Sequence, residues 1–213
     1  MKEPKSKKLR VYETLKQRII NQTLPPGEPI NEMTLSRELK ISKTPIREAL
    51  QQLEKDGFVE NIPGRGSFVS RISIQDLRET FEIREILECE ACKRVALKHD
   101  PEKLEAIRKA FETGKESLLG GLPKHFRSGD QIHAFIFESL GNQRLLEIYR
   151  RLQDHIVRHR IHFFSNSHVG RSEASYGEHL EILNALAAQD PARCEQAIRT
   201  HLRNSLDYIK SII

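Results

Sequence analysis

Residues 32–69, EMTLSRELKISKTPIREALQQLEKDGFVENIPGRGSFV, decide the fold of the first part of this 213-residue chain. Leu35 and Leu39 share one face of a short helix, Met33–Leu39, at i,i+4 spacing. A turn over Lys40–Lys43 follows. Ser42 or Thr44 can cap a second helix, and Pro45 falls in its first turn, where a missing N–H breaks no helical bond, so the pattern predicts a helix over Ile46–Asp56. Gly57 stops it. Two β-rich runs, Phe58–Ile62 and Ser67–Ser70, flank Pro63-Gly64-Arg65-Gly66, the composition of a tight hairpin with a basic tip. Helix, turn, helix and hairpin in this order make a winged helix-turn-helix.

Within the second helix, Ile46, Leu50 and Leu53 fall at i, i+4 and i+7 and face the core, which turns Lys43, Thr44, Arg47 and Gln51 to solvent near the helix N-terminus. That end of a helix-turn-helix enters the major groove, and arginine is shaped to grip guanine bidentately. Arg47 is the candidate base reader. Lys43 and Thr44 beside it, and Gly64 and Arg65 at the wing tip, are the other candidate DNA contacts. A plain solvated helical face is the competing reading of these charges. The full order Leu35…Ser42-Lys-Thr-Pro-Ile-Arg-Glu-Ala-Leu50…Leu53…Asp56-Gly-Phe…Gly64-Arg-Gly-Ser-Phe-Val69 resembles the DNA-binding domain of the GntR family of bacterial transcription regulators.

Charge separates this part from the rest. Residues 1–71 carry 14 Lys and Arg against 9 Asp and Glu, whereas residues 72–213 carry 21 of each. A polyanionic partner is therefore expected for the first part alone. Leu9–Asn21 reads as its first helix, with Tyr12, Leu15, Ile19 and Ile20 inward, ended by Leu24-Pro-Pro-Gly-Glu-Pro29. No apolar run is long enough to span a bilayer, and the basic start is not followed by an apolar stretch, so a cytoplasmic protein without a membrane partner is expected. Cys89, Cys92 and Cys194 form no disulfide framework there. Cys89-x-x-Cys92 lies inside a helical pattern and reads as a packing pair more readily than as a redox or zinc pair.

The expected organisation is a winged helix-turn-helix over 1–71, a linker over 72–77 and an all-α domain over 78–213. That domain reads as six amphipathic helices, Asp76–Lys98, Pro101–Leu119, Pro123–Leu140, Asn142–Phe164, Arg171–Ala188 and Pro191–Ile212. Asp100-Pro101, Gly120-Gly121, Gly141-Asn142 and Asp190-Pro191 mark boundaries between them. All nine histidines lie here, the first at His99. The run Phe81-Glu-Ile-Arg84…Glu88, His133…Gly141-Asn142, Glu178-His179…Leu183…Ala185-Leu186…Asp190…Ala197…His201 resembles the ligand-sensing FCD domain of the FadR branch, and the count of six resembles its VanR-like subgroup.

Asp130 and His133 share a face of the third of these helices, and an antiparallel hairpin turning at Asp190-Pro191 brings His179 and His201 to one level. Imidazoles with a carboxylate suit Zn²⁺ or Ni²⁺. The resemblance implies a metal held by Asp130, His133, His179 and His201, and an Arg84 facing a cavity where it grips a small organic acid. Spacing alone fits Arg84 equally to an intrahelical pair with Glu88. The family pattern places its Asp four residues before the His, where this chain has Gly129. His155, His159 and His162 are a second histidine set, although Arg158 and Arg160 between them point to a basic, solvated face. The resemblance further implies a homodimer on a near-palindromic operator, acting as a repressor, with no enzymatic activity. A metal-dependent enzyme tethered to DNA and a purely structural ion are the alternatives.

Overall fold

The computed structural model describes residues 6–116, 122–163 and 169–212. The chain divides into two compact units, residues 1–74 with 153–162, and residues 75–152 with 163–213.

The first unit opens with α1, Lys7–Ile20, capped by Ser6, whose hydroxyl accepts from the Leu9 N–H. Its buried face is Val11, Leu15, Ile19 and Ile20, with Tyr12 only half-buried because its hydroxyl reaches Asp56 at 2.8 Å. Asn31 caps α2, Glu32–Leu39, by accepting from the N–H groups of Met33 and Thr34. Lys40 ends α2 in the left-handed region. Helix α3 starts earlier than expected, spanning Lys43–Lys55, and Ser42 precedes it without a side-chain capping bond. Gly57, at φ +78°, turns the chain into the wing strands β2, Val59–Ile62, and β3, Gly66–Val69. At the wing tip Gly64 and Gly66 adopt φ +74° and +95°, values that favour glycine. A third strand, the two-residue β1 at Pro29–Ile30, adds antiparallel to β3 and makes the order β1-β3-β2. It was not expected, because its pairing of Pro29 with Phe68 joins residues far apart in sequence.

Residues 153–162 complete this unit. Val157 and Ile161 pack on the core formed by Leu15, Ile19, Ile46, Leu53, Phe58 and Val69. His155 stacks on Phe58 with centroids 4.3 Å apart and planes 9° from parallel, and its Nε2 lies 2.9 Å from the Asp56 carbonyl. Arg158 donates to the Ser70 carbonyl and hydroxyl, with its guanidinium over the Phe58 ring. Lys16 pairs with Asp154 at 2.7 Å. The solvated basic face expected around Arg158 is therefore corrected: Arg158 and His159 are 3% and 4% exposed, because backbone and ring acceptors take up the guanidinium.

The second unit contains α4 (Ile74–Leu97), α5 (Pro101–Glu116), α6 (Leu122–Ser139), the first part of α7 (Gln143–Phe163), α8 (Val169–Ala187) and α9 (Pro191–Ser211). Helix α4 begins inside the expected 72–77 linker, so Asp76 sits in its first turn and not before it. Asp100, Asn142 and Asp190 cap α5, α7 and α9 by accepting backbone N–H bonds. Gly120 and Gly121 lie outside the described residues. The core is a continuous cluster that includes Ile132, Ile136, Phe137, Ile182, Leu183, Leu186, Ile198 and Leu202, with Phe137 stacked on Tyr149 at 4.0 Å. Cys89, Cys92 and Cys194 are buried in it as free thiols, and burial pushes the Cys89 thiol up to about 11, so it is an inert packing residue.

His155 gives the first unit a pH dependence. Burial, reinforced by the Arg158 charge, pushes its pKa down, against the raising effects of the Asp56 carbonyl and Asp154. An unfolded histidine takes a proton near pH ~6.5. The folded ring resists protonation, so this contribution to stability is complete above that pH and is lost as the pH falls toward the folded value. The urea midpoint should drop between pH 7 and pH 5, and His155→Phe, which keeps the stack without titrating, should drop less. Identical slopes for the two proteins would show that His155 is not the group involved.

Candidate metal centre and nucleic-acid face

His133 on α6, His179 on α8 and His201 on α9 meet inside the helical unit. One ring nitrogen from each lies within 4.8 Å of the others. All three rings are buried. Burial lowers the pKa of His179 and His201 well below the ordinary histidine value, and neighbouring imidazoles add to the effect, so both are neutral near pH 7.

Each ring has an acceptor at Nδ1. The Ser175 carbonyl is 2.8 Å from Nδ1 of His179, and Glu178 Oε2 is 2.8 Å from Nδ1 of His201. Glu88 Oε2 is 2.7 Å from Nδ1 of His133, in a bent approach that leaves both buried atoms without a straight hydrogen bond. Protons on Nδ1 leave lone pairs on Nε2, and the Nε2 atoms of His133 and His179 are 3.3 Å apart. Two such lone pairs repel unless a cation lies between them. Zn–N bonds of about 2.0–2.1 Å at a tetrahedral angle place two nitrogens roughly 3.3–3.4 Å apart, so the span fits. A proton on one of these two nitrogens would instead join the rings by a direct hydrogen bond, and a bare Nδ1 of His179 would then have the Ser175 hydroxyl, 3.3 Å away, as a donor.

Asp130 is not in this group. It is half-buried on α6, one residue after Gly129, and its charge is felt at Arg84. Gly129 itself faces the centre, since a Cβ there would lie 2.8 Å from Cε1 and 2.9 Å from Nε2 of His179. The space that a side chain at 129 would need is filled by imidazole, and the three-residue offset carries the Asp130 side chain out of the cluster.

Arg84 is buried on α4 and makes the intrahelical pair, Nε to Glu88 Oε1, at 2.7 Å. Its guanidinium also lies 5.1 Å from the Phe81 ring centroid. Burial opposes its charge, but Glu88 first, then Tyr149 and Asp130, raise its pKa. Burial likewise acts to raise the Glu88 carboxyl, and Arg84 and His133 outweigh it, holding Glu88 at about 2. The other carboxylate, Glu178, takes both Arg171 nitrogens at 2.9 and 2.8 Å and Asn204 at 2.7 Å. From the sequence Glu88 was read only as a possible intrahelical partner of Arg84, and Glu178 had no role; the signal for a place behind the rings was present in Glu178, next to His179. His155, His159 and His162 form no metal group among the described residues.

In the first unit Lys43, Thr44 and Arg47 are exposed at the start of α3, and Gly64 and Arg65 at the wing tip. Arg47 Nε lies 2.8 Å from Glu32 on α2, and the Arg65 guanidinium is 5.6 Å from the Phe68 ring centroid. The candidate DNA contacts thus lie on one exposed set of elements, α3 and the β2–β3 turn.

Among the described residues no helix is long and apolar enough to cross a membrane. Residues 79–204 match the FCD domain, and residues 7–69 match the bacterial regulatory proteins of the gntR family. The chain is 28% identical to the uncharacterised HTH-type transcriptional regulator YdhC of Bacillus subtilis, over 96% of this chain and 92% of that protein. It is 25% identical to the HTH-type transcriptional repressor RspR of Escherichia coli, over 95% of this chain and 89% of the repressor. Its fold is shared with E. coli McbR/YncC, at a TM-score of 0.80 and 20% identity, over 98% of this chain and 99% of that one. These relatives are regulators and not enzymes. With a winged helix at one end and an FCD domain at the other, the chain belongs to the GntR family of DNA-binding transcription regulators, in its FadR-like branch.

Proposed function

We propose that the chain is a cytoplasmic, homodimeric repressor of a near-palindromic operator, whose grip on DNA is controlled by a small carboxylate bound at a metal centre in the FCD domain. The observation that carries the metal reading is the convergence of three buried imidazoles, each with an acceptor facing Nδ1, so that a proton on that atom leaves Nε2 free to bind an ion. His133, His179 and His201 would hold Zn²⁺ or Ni²⁺; Asp130 is left out of the ligand set because it stands outside the cluster. A bound ion supplies Lewis acidity and open coordination positions, since three protein nitrogens do not complete a tetrahedral or octahedral sphere. With no carboxylate among the ligands the ion keeps its full positive charge, which favours an anion as the remaining ligand. Arg84 is the second positive group, buried and near enough to His201 for its charge to lower the pKa of that ring. A carboxylate reaching both would gain a charge-assisted contact at each end. Repression, and not activation, is favoured by the repressor RspR among the relatives.

Two experiments test the two halves of this assignment. Mono- and dicarboxylic acids titrated by calorimetry into the Zn²⁺-loaded protein, the chelator-stripped protein and Arg84→Ala should bind the loaded wild type at least about tenfold more tightly than either of the others. Equal binding by stripped and loaded protein would remove the metal from the pocket, and Zn²⁺ binding without any acid ligand would leave a structural ion.

For DNA, an operator selected from a random duplex library should lose about 1–3 kcal/mol of affinity with Arg47→Ala, as for a bidentate base contact, while random DNA is bound nearly as before. Equal losses on both would make Arg47 a phosphate contact. Lys43→Ala and Arg65→Ala should each lower the salt dependence of binding by about one phosphate contact.

A further inference from the structure

We propose that Glu88 and Glu178 are the positioning residues that make the three buried imidazoles a metal-binding face, by holding the protons of His133 and His201 on Nδ1 so that Nε2 points inward as a lone pair. The inference rests on the metal reading above and asks what creates the donor set. A neutral imidazole can carry its proton on either nitrogen, and only the Nδ1–H form of these rings offers Nε2 to an ion. Nothing in the three rings themselves selects that form. The choice is made by the groups behind them.

Those groups are fixed independently of any ion. Glu178 is clamped by both Arg171 nitrogens and by Asn204, and Arg171 is in turn held by Ser205 at 2.6 Å. Its Oε2 is therefore presented to His201 before a metal arrives. Glu88 is fully buried, with Oε1 held by Arg84 and Oε2 turned to His133. A carboxylate at Nδ1 also makes the opposite nitrogen a stronger base, and so a better ligand, than a neutral acceptor does. His179 has no carboxylate at Nδ1; the Ser175 carbonyl lies 2.8 Å and the Ser175 hydroxyl 3.3 Å from that atom. Glu88 carries a second consequence: it joins Arg84 to His133, so an anion drawn to Arg84 and an ion held by His133 share one carboxylate. Their affinities are linked, and the linkage is reciprocal.

Glutamine is the informative replacement at either site. In Glu178→Gln the amide oxygen is drawn to the place of Oε1, where Arg171 Nη1 and Asn204 both donate, which leaves the NH₂ group in the place of Oε2, facing His201 and Arg171 Nη2. In Glu88→Gln the oxygen has to face Arg84, which leaves NH₂ facing His133. Each amide donates where the carboxylate accepted, and drives the ring's proton to Nε2, into the place of the ion.

The full-length protein would be tested with Zn²⁺ competed against a chromophoric chelator, and the tautomers of the stripped protein read from histidine ¹⁵N shifts. Both variants should bind Zn²⁺ about 10- to 100-fold more weakly. The signals of His201 in Glu178→Gln, and of His133 in Glu88→Gln, should change from the Nδ1–H to the Nε2–H pattern, while His179 keeps its own. Should Glu88→Gln fail to fold around an under-partnered Arg84, the double variant Arg84→Met/Glu88→Met removes both buried charges and should still bind Zn²⁺ about tenfold or more weakly. A wild type that binds no Zn²⁺ would overturn the metal reading itself. Wild-type binding with unchanged affinity in the variants would overturn only the positioning role, as would lost affinity without any change of tautomer.

Discussion

Polar groups that are buried must find partners, and in this protein that demand falls on imidazole rings. A buried ring needs an acceptor for its N–H and a donor, or a cation, for its lone pair. The helical unit meets the first need at His179 and His201, with a backbone carbonyl and Glu178, sets Glu88 2.7 Å from the Nδ1 of His133, and directs the second toward a single point. The arrangement of α4, α6, α8 and α9 can be understood from this: α4 brings Glu88, α6 brings His133, and the α8–α9 hairpin brings the other two rings with Glu178. The carboxylates are themselves buried charges and are tolerable only because Arg84 and Arg171 stand against them.

The same demand shapes the DNA-binding unit. Phe58 would leave the core of a three-helix winged domain open on one side, and residues 153–162 cover it with His155 and the stem of Arg158. The Asp56 carbonyl meets the His155 ring and the Ser70 carbonyl and hydroxyl accept from Arg158, at positions where the chain has just left α3 and β3. A region cut at the end of the wing would lack these groups.

Local chemistry made much of this visible in the amino-acid sequence. Pro45, Gly57, Gly64 and the alternation around the wing act over a few residues, and the Asp-Pro and Gly-Asn boundaries of the helices are equally short-range; each was found near its expected place. Apart from helix starts, where α3 and α4 begin a few residues early, the misses are long-range. Strand β1 exists only because Pro29 and Ile30 meet Phe68 and Ser67, and no feature of a two-residue strand announces that. Periodicity marked 155–162 as helix without saying what the inner face touches, so a buried clasp looked like a solvated basic face. For Asp130, spacings of three and four residues both satisfy a shared helical face, but they differ by about 100° around the axis, and convergence on one point needs the finer condition. The hairpin turn brought His179 and His201 to one level in the sequence, whereas adding His133 to them rested on the family resemblance. Their supporting glutamates were visible as residues and silent as to a place behind the rings.

The pair between Arg47 and Glu32 bears on how such a protein tolerates the wrong sequence. On free protein the guanidinium is already partnered, at 2.8 Å, across α2 and α3. In the proposed base contact its arrival at guanine would be an exchange of one acceptor for another, and because the pair is exposed its own worth is no more than about 1 kcal/mol. Over a mismatched base, Arg47 can stay with Glu32 and is not stranded against a donor. As a base reader, Arg47 would thus have a resting place on the protein itself, to be left only where a base offers more.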